Sequence, residues 1–85
     1  MCEEIYVTMF DTKDKNGKIL NDKHYLAVWA TEKDAQESLK MIKDGLIKHH
    51  WGKIVENEIN RFTMTSPIMS ITYYYERDWI IGREL

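Results

Sequence analysis

One cysteine, one proline and four glycines in 85 residues remove several protein classes at the outset. A lone thiol, Cys2, closes no internal disulfide, so the chain is not a disulfide scaffold, and it offers no Cys pair for a metal. With no Pro/Gly-rich or Ser-rich tract there is no linker, and the sequence reads as a single domain over residues 1–85. The glycines form no phosphate-cradling loop, and neither a GxSxG nor an HExxH arrangement occurs. No apolar run approaches the length of a membrane span, and no basic segment followed by an apolar one opens the chain. The expectation is therefore a cytoplasmic protein with no membrane partner. An excess of one charge is also missing. Twelve basic and 14 acidic residues leave a net charge of −2, which excludes a strongly basic nucleic-acid arm and a strongly acidic mimic.

What is present is ample material for a core, with 44% hydrophobic residues including three Trp and five Tyr. A chain this short buries a modest core, so it is either well idealised or leans on an oligomer. Nine Lys against three Arg, with ten Ile, is the bias of AT-rich coding sequence and hints at a phage or mobile-element origin.

Strand-like alternation runs from Ile5 to Phe10 and again from His24 to Trp29, with Asn16-Gly17 between them. Asn-Gly tolerates positive φ at both centres of a two-residue turn, the strongest short hairpin signal. That turn sets Val7 opposite Leu26, Ile5 opposite Val28 and Met9 opposite His24 on one face. Thr8 then opposes Tyr25, and Tyr6 opposes Ala27, on the other. Thr31 followed by Asp34 resembles a capping box, and Ala35, Leu39, Ile42 and Leu46 make one helical stripe. A helix over about 32–44 follows, with Gly45 in the left-handed position after it and Leu46 folding back on the last turn. Trp51, Ile54, Val55, Ile59 and Phe62 fit a second short helix over about 51–60, although residues 61–65 alternate like a strand. Ser66-Pro67 breaks what precedes it. Residues 68–75 are apolar on both faces, a hazard at an open edge, so this strand belongs in the sheet centre or across a dimer. The apolar tail Trp79-Ile80-Ile81 must dock or meet a partner. The expected fold is α+β: a two-layer antiparallel sheet of three to four strands, packed on one main helix with room for a second short one.

Two constellations carry the functional reading. Tyr6, Tyr25, Trp29, Tyr73, Tyr75 and Trp79 suggest an aromatic sheet face, the residue types that bury area while keeping a polar tip. A second packing layer or a homodimer interface accounts for the same rings. The stretch "LIKHHWGK", residues 46–53, is the other. Adjacent histidines on a helix point about 100° apart, poor spacing for a shared metal, so no metal or cofactor is expected. Lys48, His49, His50 and Lys53 instead form the most basic window of the chain, with no acid in residues 46–55. The leading expectation is a small non-enzymatic protein-binding module, inhibitor- or adaptor-like, with an unidentified protein partner or a second copy. The alternative is a weak single-stranded nucleic-acid binder using residues 48–53 for phosphates and surface tyrosines for bases.

Overall fold

The computed structural model describes residues 2–81 of the chain. In order along the sequence lie β1 (Cys2–Asp14), β2 (Ile19–Trp29), α1 (Glu32–Lys48), β3 (Lys53–Glu58), β4 (Arg61–Thr65) and β5 (Met69–Ile81). The strands form one five-stranded antiparallel sheet of order β2-β1-β5-β4-β3, and α1 packs on one face of it. The α+β class is as expected, but there are five strands rather than three to four, and one helix among the described residues. No helix there is long and apolar enough to cross a membrane.

The segment read as a second helix is β3 and the turn at Ile59-Asn60. Its apolar spacing suits a helix, yet Ile54 pairs with Met64 and Asn57 with Phe62, both on β4. An extended chain gives β4 a second neighbour, whereas a helix would leave that strand's outer hydrogen bonds unmade. β5 lies between β1 and β4, the protected position its two apolar faces require.

The first hairpin turns on three residues, not two. Asp14 donates its N–H to Lys18 O at 2.8 Å, and Gly17 donates to Asp14 O at 3.0 Å. The Asp14 carboxylate accepts from the N–H groups of Asn16 and Lys18. Gly17 alone in this turn has positive φ (84°), matching a turn closed by a glycine bulge. Three further irregularities follow along the ladder, so the pairing at its base is Tyr6–Trp29, Val7–Val28 and Thr8–Ala27, then Met9–Tyr25 beyond the extra residue Leu26. The expected partners are therefore displaced, and Tyr25 changes face. A bulge inserts one unpaired residue and inverts every side chain beyond it.

The helix begins as its sequence indicates. Thr31 is extended and its hydroxyl accepts from the Asp34 N–H at 3.2 Å, with Glu32 and Asp34 in the first turn where the dipole favours acids. It runs one turn further than expected, through Gly45 to Lys48. The left-handed residue is His50, with φ of 53°. His50 N–H donates to Ile47 O and Trp51 N–H to Leu46 O, both at 3.1 Å. These are the paired bonds of a Schellman closure, with Trp51 as the apolar residue that folds back on Leu46's side of the core.

Ala35, Leu39, Phe62, Met64 and Tyr75 are the buried cluster between α1 and the sheet, joined by Tyr6, Trp29, Ile42, Leu46, Trp51 and Tyr73. Phe62 and Tyr73 stack at 5.3 Å, Tyr73 meets Phe10 at 5.6 Å, and Phe10 meets His24 at 4.7 Å, a row of rings crossing β4, β5, β1 and β2. Such cross-strand aromatic pairs tie neighbouring strands on one face.

Candidate functional site

The helix covers the face expected to be open. Tyr6, Trp29, Tyr73 and Tyr75, four of the six proposed interface aromatics, pack on the helix-side cluster. Their polar tips explain how rings of this kind fill a core. Tyr75 Oη donates to Glu32 Oε2 at 2.8 Å and accepts from Gln36 Nε2 at 3.1 Å, binding sheet to helix start. The Trp29 indole donates to Thr8 Oγ1, whose hydroxyl donates to Ala27 O, both at 3.3 Å, so Thr8 is satisfied at 0% exposure. Burial holds the Tyr73 phenol above its ordinary range. For Tyr75, burial also raises it, with the Gln36 bond opposing and Glu32 adding to the rise. Tyr75 is buried in this cluster, and Tyr6, Trp29 and Tyr73 are partly buried against it. Trp79 pairs with Glu4, lies under the Arg77 guanidinium at 5.7 Å, and is exposed.

Only Tyr25 of the set reaches the helix-free face, where it lies opposite Met9 on the face expected to carry Ile5, Val7, Leu26 and Val28. Met9 opposes Tyr25 and Val7 opposes Val28, and Leu26 bulges between them. Val7 and Met9 are 7% and 2% exposed, although no helix lies over them. Their neighbours across the ladder, Val28 and Tyr25 on β2 and Glu76 and Tyr74 on β5, shield them from the sides. On the edge strand itself Tyr25, Leu26 and Val28 keep 68%, 44% and 60% of their surface in water. With Val7, Ala27 and Asp78 they line a concavity of about 370 Å³.

Acids fringe this apolar strip. Tyr74 Oη donates to Asp11 Oδ1 at 3.1 Å, and the same carboxylate oxygen accepts from the Lys23 N–H at 2.7 Å. Burial, then the Asp11 hydrogen bond, and then the negative charges of Asp11, Glu76 and Asp22 push the Tyr74 phenol up to about 12. Lys23 has φ of 51° and sits where the β1–β2 register shifts. A lysine on a bulge blunts the outer edge of β2 against strand addition. What β2 offers is its side chains rather than its backbone.

The same face is different at its other end. Thr63 and Thr72 hydroxyls meet at 2.8 Å, and Arg61 pairs with Glu56 at 2.8 Å. This half is polar and internally matched.

The basic window is brought together in part. His50 and Lys53 line one concavity with Trp51, while Lys48 ends the helix and His49 caps it, both exposed and outside that lining. Gly52 is required there: a Cβ would stand 2.2 Å from Thr65 O, on the strand that pairs with Lys53. Tyr75 and, in part, Tyr73 are buried on the helix side of the sheet. Among the described residues no three His, Cys, Asp or Glu side chains gather as a metal site.

Val7 and Met9 are buried as the apolar half of an alternating strand ordinarily is, but Leu26 and Val28 across the ladder are exposed, which alternation alone does not reveal. The available signal was the bulk of the other half: Tyr6, Phe10, Trp29, Tyr73 and Tyr75 reach further than valine can towards a helix. Comparison with family models, curated proteins and solved structures finds no match to this chain.

Proposed function

We propose that this chain is a non-enzymatic docking module that binds a partner protein through the helix-free end of its sheet and acts by occlusion or scaffolding. One observation carries the reading: Tyr25, Leu26 and Val28 stand largely in water on one edge strand, beside Val7 and within an acidic fringe of Asp11, Glu76 and Asp78. An apolar centre with a charged rim is the anatomy of a specific interface. The sign of the rim selects a partner whose own apolar contact is flanked by Lys and Arg. A second copy of the chain is a poorer occupant, because two acidic rims would face each other.

The test is a double substitution, Tyr25→Ser with Val28→Thr, in a tagged protein used to capture partners from lysate with nuclease present. The expected result is a partner band lost from the variant while its melting temperature is unchanged. An equal yield with both proteins would refute this face as the docking surface. A dimer that the variant abolishes, seen by light scattering over a concentration series, would transfer the reading to self-association.

The alternative, a weak single-strand binder, is favoured by one arrangement, the clustering of His50, Trp51 and Lys53 around a single concavity.

A further inference from the structure

We infer that the concavity at the C-terminal end of α1 is a second binding site, distinct from the docking face, for a planar aromatic ring carrying a phosphate, that is, a nucleotide unit. His50, Trp51, Lys53, Thr65, Ser66 and Pro67 line it, and its volume is about 460 Å³. That falls in the range of small-ligand pockets, roughly 300–1,000 Å³.

The charge of the lining selects an anion. Three other concavities each contain a carboxylate: Glu37 and Glu58 line one beside the helix, Asp11 and Glu56 line one on the polar half of the sheet, and Asp78 lines the one on the docking face. This one has none, in a chain whose acids outnumber its bases 14 to 12. His50 and Lys53 flank the Trp51-Gly52 pair, so two nitrogen donors border one indole. Trp51 is only partly buried against the core, and the part of its indole left on the concavity is the aromatic surface on which a base stacks, with the Pro67 ring as an apolar neighbour.

The walls are held in advance of any ligand. The Schellman bonds from His50 and Trp51 fix the helix exit. Gly52 lies against Thr65, and the Ser66 hydroxyl accepts from the Ile68 and Met69 N–H groups while donating to Met69 O. A site already in shape loses less freedom on binding. His50 itself is notable for its backbone. The left-handed position after a helix is glycine's, since a side chain there is strained, yet an imidazole occupies it and lines the cavity. Strain of this kind gathers where a side chain has work beyond folding.

The experiment is a titration of the ¹⁵N-labelled chain with adenosine monophosphate, followed by the indole N–H signals of its tryptophans. Inorganic phosphate, adenosine and a short deoxythymidine oligomer serve as further probes. The expected result is a saturable shift of the Trp51 indole by the nucleotide. Adenosine or phosphate alone binds at least tenfold more weakly. His50→Gly, which relieves the left-handed strain, is expected to melt no lower than the parent and to lose at least fivefold in affinity, with Lys53→Gln losing a similar factor. If the oligomer binds tenfold or more tightly than the mononucleotide, the source is a single strand, and two phosphate contacts give a salt slope of about −1.4. Equal affinities assign a free nucleotide. An unmoved Trp51 indole at millimolar nucleotide, or full affinity in both variants, would overturn the site. Binding of phosphate as tight as that of the nucleotide would overturn the ring.

Discussion

On the helix side of the sheet Phe62 stacks on Tyr73 and Tyr73 meets Phe10 at a tilt, spanning three strands, and the helix reaches down to bond Tyr75. On the other side Val7 and Met9 are shielded by strand neighbours alone, and Tyr25 and Val28 stand in water. Both sides bury apolar groups, by different means. A covering layer excludes water from above and locks its contacts to the helix. Lateral shielding protects the inner strand but leaves the edge strand's side chains unsatisfied. Substitutions on the covered side should therefore register as stability, and those on the bare side as binding.

The sharpest break of this contrast is Phe62→Ala, beneath the helix. Truncating a buried phenylalanine costs about 3–5 kcal/mol, so urea unfolding should show a midpoint far below that of the parent. A change of under about 1 kcal/mol, the scale of a surface substitution, would mean the helix side is not the principal core. Gly52→Ala comes next, because the added methyl meets Thr65 O at the β3–β4 pairing. Overpacking of this kind costs about 1–3 kcal/mol, readable in the same unfolding curves. Thr31→Ala removes the cap that receives Asp34 N–H, with an expected loss of about 1 kcal/mol and faster amide exchange in the first helical turn. Tyr25→Ser and Val28→Thr, on the bare side, should each move stability by no more than about 0.5 kcal/mol. A larger loss would place them in the core.

The smallest effect is a titration. Burial first, then the bond to Asp11, raises the Tyr74 phenol to about 12, above the ordinary tyrosine value of about 10. Because the folded value is the higher one, the phenol's contribution to stability is complete below about pH 10. It is lost as pH rises through about 12. Absorbance near 295 nm (the phenolate band) should show Tyr74 ionising late in the parent and earlier in Asp11→Asn. Identical curves would refute the Asp11 contribution.

Much of the architecture was legible in the residues, and the reason is local. Ile5–Phe10, residues 68–75 and the stripe from Ala35 to Leu46 each carry one unbroken period, and Thr31 announces its helix by a bond within one turn. Register was not legible. Each irregularity between β1 and β2 depends on partners rather than on sequence neighbours, and the extra Leu26 alone is enough to turn Tyr25 to the opposite face. The end of the helix escaped for a related reason. Gly45 has the chemistry of a stop signal but is helical, while His50, which has no such signature, takes the left-handed turn. The site followed these errors. His50 and Lys53 were recognisable as a basic pair, but Pro67 as part of the same lining was not, since a sheet pairing brings residues 53 and 65 together.

The pairing of β1 with β5 has a kinetic meaning. Cys2 lies against Ile81 and Asp14 against Met69, so the middle of the sheet is a seam between the earliest and latest described strands. Contacts this distant in sequence close slowly, because a long loop must be gathered before any bond rewards it. On the ribosome the first hairpin and the helix are made while β1 still has one bare edge. A chain halted before β5 would present that edge, with Ile5 and Val7 on it, to its neighbours. Yield of the native protein should thus depend on how quickly the last strand arrives.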